Sequence, residues 1–459
     1  MSNKSVGTMP SETSNISSQF DSTAFNSIRE TLPDRVILNA CRDCGYRYRR
    51  RLISPVLTVI HMIVAAIWSE ESFTASWQLL WTSFAAAFPE TARRSPSRGT
   101  VSNSRKRMPL AVWQSIFAWL SRQGQERSEG IDRWRGHRVV ATDGTCMSLQ
   151  DTKELCSSFG LHKGYHGVHR YPLAKMVMLV LVETMIAIDY RIGRYKTDET
   201  ELLKPMLKTL RKGDLLLADR HFAGSNLYWL YESEGLEYLT PAHQKLKISR
   251  LKRLWNYGEN DFVAKLKIGA FYRRQNPDMP RYIKARFIQV EIRVRGKYQR
   301  VWLVTSLLDA YAYPAAEVAE LYGRRWRIET MFRRFKVDMD SDLLRSKSPD
   351  AVHKEVAARI CALNIVGTIM LEASIANNVD VLRISFVDAV RTIIAFAPHL
   401  AVRPPEQLPA IYRRMLVEIA ARQVPYRPNR SEPRKLKFCK PHYPPLRTTR
   451  AEWRAEYAA

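Results

Sequence analysis

The sequence predicts an α/β protein: a mixed α/β core that contains a β-rich insert, preceded by a helical N-terminal region and followed by a helical or irregular C-terminal region. Three patterns predict this class. Apolar residues recur at helical spacing through the first quarter of the chain, β-type runs then alternate with a helical run, and a second strand-rich stretch precedes two long helical patterns. With 459 residues, 46% of them apolar, the chain can bury a sizeable core and form several domains.

The N-terminal quarter is predicted to be helical after a polar start. Residues 1–25 are rich in Ser, Thr and Asn, which predicts a flexible tail and no secretory signal. Residues 26–130 carry apolar stripes at helical spacing. Their longest apolar run, Pro55 to Trp68, is too short to cross a bilayer and predicts a buried core helix. We therefore expect a cytoplasmic protein with no membrane partner.

Residues 131–244 are predicted to form the first half of the α/β core. Four β-type runs and one run of helical spacing follow one another there, and the last β-type run is short, apolar and ends in charged residues. The β-type runs are 138–149, 175–182, 185–194 and 214–222, and the helical run is 200–210.

The remaining chain predicts an insert, the rest of the core and a basic end. Residues 245–300 become strand-like and basic, which predicts the β-rich insert. Residues 301–376 are predicted to complete the core with two helices, Ala315 to Val337 and Ala351 to Ala376. Residues 377–459 form a C-terminal basic region rich in Pro, Arg and Tyr.

The charge balance points to a polyanionic partner. Lys and Arg number 72 and Asp and Glu number 45, which gives a net charge of +27. A surplus of this size repels itself in the compact state. Nucleic acid fits best, because each phosphate that is neutralised releases counterions and adds affinity. A purely structural binder would carry the same surplus, so charge alone does not predict an enzyme.

One N-terminal segment interleaves basic and aromatic residues. It runs YRYRRR from Tyr46 to Arg51. A solvated basic face is the simpler alternative, but the net charge and the two tyrosines favour contact with DNA. We therefore expect Arg49, Arg50 and Arg51 to bind DNA.

The six cysteines are unevenly spaced and predict reduced thiols rather than a disulfide framework. Two pairs have the spacing of zinc ligands, Cys41 with Cys44 and Cys439 with His442. Because the pairs are far apart in sequence, we favour structurally neutral cysteines over a zinc site.

The most informative segment is LYGRRWRIETMFRRFK, residues 321–336. Tyr322, Arg325, Glu329 and Lys336 are separated by 3, 4 and 7 residues, which places them on a stripe roughly 60° wide of an ideal helix. These groups suit phosphodiester chemistry, since a carboxylate can hold metal while cations and a hydroxyl hold phosphate oxygens. A salt-bridged surface helix would show the same residue types, so this segment alone leaves both interpretations open. The apolar residues on its other faces are predicted to be buried: Trp326, Met331 and Phe335.

Two aspartates lie where a charge needs a partner. Asp143 is within a hydrophobic strand and precedes Gly144, and Asp219 ends the apolar run LLLA. A buried carboxylate is costly unless it is paired. An Asp-Gly turn would explain the first and a salt bridge to Arg220 the second. Three acids on a strand, a strand and a helix instead favour a metal site, because hard divalent cations take oxygen ligands from separate elements.

This pattern resembles bacterial insertion-sequence transposases of the IS-four type. The four polar residues of 321–336 match that family's Tyr-Arg-Glu-Lys signature. ATDGT carries the first Asp, ADRHF carries the second, VTSLLD precedes the signature helix and LRSKSPDAVHKE follows it, so the resemblance covers roughly Arg138 to Met370. Because type, spacing and order all agree, the signature is specific. One departure is His221, where the family often has an acidic or amide residue.

The resemblance implies a ribonuclease H-like catalytic core and a DDE-class transposase. Asp143, Asp219 and Glu329 would be the catalytic carboxylates and would bind two Mg²⁺ or Mn²⁺ ions. Its phosphate-binding residues would be Tyr322, Arg325, Lys336 and Arg220. The implied partners are double-stranded DNA, as element terminal repeats and as target, and a second copy of the chain in the synaptic complex.

Three functions remain open from the sequence. The favoured one is metal-dependent cleavage at element ends followed by strand transfer into target DNA, as in cut-and-paste transposition. A metal-dependent DNA nuclease of the same fold would cleave without joining. A non-catalytic protein that binds element ends would do neither, although every residue of the catalytic type is present.

Trp302 lies near the position where some relatives place a tryptophan that stacks on a flipped base. Alignment of Thr305 and Ser306 puts Val301 at that position, and Trp302 then faces the other way along the strand. The sequence therefore favours a core tryptophan and leaves the flipped-base residue unassigned. Tyr298 and Phe287 are the alternatives.

Overall fold

The computed structural model describes residues 26–49, 53–68, 72–87, 95–131, 133–163, 169–294, 297–402 and 405–425, together with 451, 452 and 455. The predicted tail at 1–25 lies outside these described residues. So do four residues with a predicted role: Arg50, Arg51, Cys439 and His442.

Six α-helices make up the described part of the N-terminal region. They are α1 (Asn26–Thr31), α2 (Asp34–Asp43), α3 (Pro55–Ile67), α4 (Phe73–Ala87), α5 (Arg98–Arg107) and α6 (Leu110–Arg127). The α3 helix begins at Pro55 because Ser54 caps it by accepting the backbone N–H of Leu57 at 3.1 Å, and proline suits the first turn. All 13 residues of α3 are buried, so this apolar run is a core helix.

The core begins with alternating strands and short helices. The elements are β1 (Arg133–Trp134), β2 (His137–Ser148), α7 (Lys153–Phe159), β3 (Leu161–Lys163), β4 (His169–Leu181), β5 (Ala187–Arg194), α8 (Glu199–Leu203), β6 (Leu215–Leu217), α9 (Ser225–Ser233) and β7 (Glu237–Pro241). The β2, β4 and β5 strands pair antiparallel, and β2, β6 and β7 pair parallel. The spatial order β5-β4-β2-β6-β7, three antiparallel strands followed by two parallel ones, is the ribonuclease H-like arrangement. This confirms the predicted fold class.

The helix predicted over 200–210 is shorter than expected. The α8 helix ends at Leu203, and residues Lys204–Thr209 continue as a 3₁₀-helix. Pro205 explains the change, because proline has no N–H to donate and its ring clashes with the carbonyl four residues earlier.

The predicted insert is strand-rich and extends the core sheet. It contains β8 (Lys252–Gly258), β9 (Asp261–Lys267), α10 (Ala270–Gln275), β10 (Tyr282–Val294) and β11 (Lys297–Thr305). All four strands pair antiparallel, and β11 also pairs antiparallel with β7, with Thr305 opposite Leu239. One 11-stranded sheet results, in the order β3-β4-β2-β6-β7-β11-β10-β9-β8 with β1 and β5 attached to β2 and β4. Because β11 crosses residue 300, the insert and the second half of the core share a strand.

The predicted helix over 315–337 is a chain of four helical pieces. They are α11 (Ala315–Gly323), a 3₁₀ turn (Arg324–Trp326), α12 (Arg327–Arg333) and a π-helical turn (Arg334–Asp338). Tight and wide turns of this kind change the direction in which the following side chains project. The single ideal helix assumed from the sequence is therefore wrong in detail.

The chain then forms α13 (Pro349–Asn377), α14 (Phe386–Val402) and α15 (Leu408–Ala421). The α13 helix packs against α3, α6 and α15. Among the described residues it alone is long and apolar enough to cross a membrane, but 94% of its apolar window is buried inside the protein. The α13 helix is therefore a core helix that joins the N-terminal helices to the catalytic core.

The sheet separates two hydrophobic cores. In β2, Val139, Ala141 and Met147 belong to the larger core, whereas Val140 belongs to the smaller one. Because side chains alternate along a strand, Asp143 projects on the side of the larger core and Gly144 on the opposite side. In β10, Ile288 also belongs to the larger core. The side chain of Ile288 therefore projects on the same face of the sheet as that of Asp143.

Candidate active site

Asp143 lies within β2 as a largely buried carboxylate. Its Oδ1 accepts the backbone N–H of Gly144 at 2.7 Å. The pKa of Asp143 is raised to about 6, chiefly by burial and also by the negative charges of Asp219 and Glu199, while the Gly144 N–H and the Arg325 guanidinium oppose the shift. A carboxylate in this environment is stabilised by added positive charge.

Asp219 follows β6, the parallel neighbour of β2. The register pairs Val139 with Leu215 and Ala141 with Leu217, and its continuation by two residues brings Asp219 opposite Asp143. Asp219 Oδ1 accepts the backbone N–H of His221 at 2.8 Å. It thereby caps the short 3₁₀ turn Arg220–Phe222, and this turn ends the strand where the two aspartates meet.

Arg325, on the 3₁₀ turn, contacts Asp143, and Glu329, on α12, contacts Arg325 in turn. Arg325 is 8% exposed, with Nη1 3.3 Å from Oδ2 of Asp143 and Nη2 3.4 Å from Oε1 of Glu329. Its Nε has no hydrogen-bond partner among the described residues. A buried guanidinium with an unused N–H can donate further hydrogen bonds to anionic oxygens.

Tyr322 and Arg220 complete the polar lining. Tyr322 is 5% exposed, and the Arg325 guanidinium lies 5.9 Å from its ring centroid. The pKa of Tyr322 is raised to about 12, chiefly by burial. The negative charge of Asp219 acts in the same direction, and the positive charges of Arg325 and Arg220 oppose it. Arg220 Nε is likewise without a hydrogen-bond partner in the described part of the chain. Because its pKa is raised, Tyr322 stays protonated and can donate a hydrogen bond to an oxygen.

Lys336, predicted to share one helical stripe with Tyr322, Arg325 and Glu329, contacts an acidic residue outside that stripe. Its Nζ lies 2.7 Å from Oδ1 of Asp342, and its location in the π-helical turn explains the change of direction. Trp326 was predicted to be buried, and that prediction is wrong, because Trp326 is 49% exposed. Its ring lies 5.4 Å from the Arg325 guanidinium. Met331 and Phe335 are buried, as predicted.

Two further acidic residues lie near Asp143 and Asp219, and the sequence did not predict that they would. The Glu199 carboxylate lies directly against Gly144, where any Cβ would collide with it, and it pairs with Lys175 Nζ at 3.6 Å. Asp198 Oδ1 lies 3.3 Å from His221 Nε2, so the start of α8 contacts the turn after Asp219. Only a β-strand glycine beside an aspartate could have signalled this close approach.

Glu183 anchors the helical segment that carries Arg325 and Glu329. It lies between β4 and β5, is accessible over 18% of its side chain, and accepts from Arg324 at 2.8 Å and from Arg327. Two guanidinium groups that flank Arg325 in sequence are thus fixed to the sheet. The sequence stretch around Glu183 gave no sign of this contact.

Within the described residues, no group of three or more His, Cys, Asp or Glu side chains is arranged so that it could hold a metal ion. The donor set nevertheless fits divalent cations. The continued register of β2 with β6 places Asp219 opposite Asp143, and Arg325 supplies positive charge between Asp143 and Glu329. Hard cations take carboxylate oxygens from separate elements, and these three acids come from two strands and a helix.

The N-terminal basic segment and Arg107, at the end of α5, line one cleft. Tyr46, Arg47, Tyr48, Arg49 and Arg107 surround a space of about 310 Å³. The rings of Tyr46 and Tyr48 are 5.8 Å apart, and Arg49 is exposed. Arg47 and Arg49 therefore share one surface with Arg107, although these residues are about 60 positions apart in sequence.

The aromatic residues of the insert are placed as follows. Trp302 is half-buried against the smaller core, with its ring 5.5 Å from that of Phe262, so it faces away from the side of Asp143. Phe287 is fully buried and is therefore excluded as a flipped-base residue. The Tyr298 side chain lies outside the described residues.

The part of the chain that forms these strands, carboxylates and helix matches a known protein family. The family model described as the transposase DDE domain matches residues 134–365, which is about half of the chain and includes all three carboxylates. The chain belongs to this family and is a transposase, an enzyme that acts on DNA.

Two curated relatives are described as a transposase and a putative transposase. Transposase InsG for insertion sequence element IS4, from Escherichia coli (strain K12), is 26% identical over 309 residues, which cover 66% of this chain and 68% of InsG. Putative transposase InsZ from the same strain is 26% identical over 199 residues, 41% of this chain and 66% of InsZ. The resemblance to transposases of the IS-four type is confirmed.

A solved transposase structure is also similar in part. It is the cryo-EM structure of the piggyBac transposase synaptic complex with hairpin DNA. The TM-score is 0.41 at 11% identity, and the match covers 88% of this chain and 86% of that chain.

Proposed function

We propose that this transposase cleaves DNA at the ends of its element and transfers the freed strands into target DNA, by cut-and-paste transposition. The observation that carries the proposal is the meeting of Asp143 and Asp219 on parallel neighbouring strands, with Arg325 bridging Asp143 to Glu329. Two neighbouring carboxylates in a partly buried site repel each other when both are ionised, and bound cations relieve that repulsion.

Asp143, Asp219 and Glu329 would hold two Mg²⁺ or Mn²⁺ ions, which supply an activated nucleophile and charge stabilisation at the leaving oxygen. Burial and the charge of Asp219 raise the pKa of Asp143, so cations in the site favour its ionised form. The half-exposed side chain of Glu329 can turn from Arg325 toward the two aspartates.

The cationic groups of the site would bind the DNA backbone. Arg325 has one unused N–H and would offer its Nη groups to phosphate oxygens. Tyr322, kept protonated by its raised pKa, would donate to an adjacent oxygen. Arg220 and Lys336 would hold phosphates on either side of the scissile bond. These contacts would orient the phosphodiester toward the attacking nucleophile.

The N-terminal cleft would bind duplex DNA away from the reacting bond. Arg47, Arg49 and Arg107 converge there with two tyrosines, and the predicted DNA-binding residues Arg50 and Arg51 continue the same segment. Basic groups interleaved with aromatic rings are typical of nucleic-acid surfaces. Two copies of the chain would pair two element ends, in the cytoplasm and in contact with the nucleoid.

The test uses the purified full chain with duplexes made from the DNA that flanks its coding sequence on both sides. Addition of Mg²⁺ and a supercoiled target plasmid should give nicked ends and then covalent joining of 3′ ends to the plasmid. Nicking without joining would identify a nuclease instead. Binding without nicking would identify a non-catalytic end-binding protein.

A further inference from the structure

Three lysines lie directly opposite one another at the free end of the sheet. Lys265 on β9 is in register with Lys252 on β8 and with Lys284 on β10. All three are exposed, and no ion pair within the described residues involves any of them. We call Lys252, Lys265 and Lys284 the lysine ladder.

By itself, the lysine ladder destabilises the folded protein. Like charges directly opposite on neighbouring strands repel and are destabilising. The same strands do neutralise a cation nearby: Arg286, two residues after Lys284 on the same face, pairs with Asp261 at 2.5 Å. A lysine on an edge strand can protect the edge from aggregation, which would explain Lys252 but not Lys265 or Lys284 on interior strands. The arrangement therefore favours an external polyanion.

Aromatic side chains border the lysine ladder. The Lys284 ammonium lies 5.3 Å from the centroid of the Trp255 ring, and Arg281 lies 5.5 Å from that of Tyr282. Trp255 is 48% exposed and Tyr282 43% exposed. Tyr282 is also in register with a fourth lysine, Lys267. Basic side chains with exposed rings between them indicate a nucleic-acid surface.

The lysine ladder and Asp143 share one face of the sheet. Side chains alternate along β10, so Lys284 projects on the same side as Ile288, which belongs to the larger core; Asp143 projects on that side too. The β10 strand is three strands from β6, and β8 is five. At about 4.8 Å per strand the ladder lies roughly 14 to 24 Å from β6 across the sheet, and the register places Lys284 level with Leu215, roughly 13 Å along the strands from Asp219. A duplex can span that distance within one helical turn.

We propose that the lysine ladder binds the phosphate backbone of target DNA during strand transfer. This inference rests on the proposed function. A lysine ammonium is a compact point charge without the planar donor fork that arginine uses on base edges, and phosphate contacts carry no sequence information. Such a surface suits a duplex of arbitrary sequence, which a target is, rather than a terminal repeat that must be recognised.

The test compares a triple variant, K252Q/K265Q/K284Q, with wild type and with a matched control, K153Q/K208Q/K212Q. The control removes the same charge from exposed lysines elsewhere. Binding to a random-sequence duplex is measured against salt concentration, together with end cleavage and joining to a plasmid. The ladder variant should lower the salt slope by about 2.7, from three contacts at about 0.9 each. It should also reduce joining at least tenfold while cleaving ends like wild type, and the control should do neither.

Two outcomes would overturn the proposal. One is an unchanged salt slope and normal joining by the ladder variant. The other is an equal loss of binding to the flanking-sequence duplexes and of end cleavage, which would assign the lysines to the element end. Failure of wild type to cleave would instead refute the proposed function, and the salt slope of random-duplex binding would still report on the ladder.

Discussion

The guanidinium of Arg325 lies 3.3 Å from the carboxylate of Asp143, although the two residues are 182 positions apart in sequence. Arg325 is therefore an ion-pair partner of Asp143, which we propose as a catalytic carboxylate. The same guanidinium contacts Glu329. One side chain thus joins the helical segment to the sheet, and we propose that it binds a phosphate at the reacting bond.

Replacement of Arg325 by Ala should impair cleavage far more than binding of element ends. The residue acts on phosphate oxygens where charge develops, and loss of one such donor costs about 10²–10³-fold in rate. Single-turnover nicking and gel-shift affinity are the two measurements. Arg333→Ala is the matched control, because Arg333 is an exposed arginine on α12. A parallel fall in both quantities for Arg325→Ala would place the residue in general DNA binding.

Glu183→Ala should loosen the segment that carries Arg325 and Glu329. It removes the carboxylate that accepts from Arg324 and Arg327, and a lost hydrogen bond to a charged group costs about 1.5–3 kcal/mol. Thermal unfolding and amide exchange of residues 324–333 would show the effect. Glu320→Ala is the control, since Glu320 also pairs with Arg324 but is 72% exposed and should contribute less than about 1 kcal/mol. Equal effects from both changes would show that Glu183 is not the anchor.

Gly144→Ala should destabilise the protein through a clash with Glu199. The new Cβ meets a carboxyl group held by Lys175, and overpacking of this kind costs about 1–3 kcal/mol. Glu199→Ala in the same chain should restore much of the loss, a coupling that a double-mutant cycle measures. Gly323→Ala is the control, because nothing lies within 4 Å of its added Cβ. Additive effects of the two changes would contradict the close contact.

The route of second-strand cleavage is open to a direct test. In the proposed cut-and-paste reaction one acidic site would break both strands at each end, so we expect the first freed 3′-hydroxyl to attack the opposite strand and form a hairpin. End-labelled substrate on a denaturing gel should show a hairpin-sized product that rises and then falls. Paired linear strands without that product, even when reopening is slowed, would indicate separate hydrolysis. Trp302 and Phe287 are not placed to stack on a flipped base, since one packs on the smaller core and the other is fully buried.

The fold class could be predicted because its signals are local. Apolar runs marked the strands, and the two aspartates stood out as charges within such runs. The pairing of Asp143 with Asp219 then follows from the parallel register of β2 with β6. The exposure of Trp326 and the partner of Lys336 could not be predicted, because a 3₁₀ turn and a π-helical turn interrupt the helix that a wheel assumes.

Contacts between distant segments were the hardest to foresee. Glu183 and Glu199 each lie in a sequence stretch without a motif, and only the folded sheet brings them to Arg324 and Gly144. The lysine ladder is invisible for the same reason. Its members are 13 and 19 residues apart along the chain, and strand register alone makes them neighbours.

The central claim is that three carboxylates form one catalytic site, and single-turnover nicking of an end duplex in Mg²⁺ tests it most directly. Asp143→Asn, Asp219→Asn and Glu329→Gln should each abolish nicking and still bind the duplex, because they hold cations rather than DNA. Chelation of the metal should stop wild type in the same way. Asp342→Asn, which alters the partner of Lys336, is the comparison that should retain activity. Near-wild-type nicking by any one of the three carboxylate variants would remove that residue from the site and contradict the account.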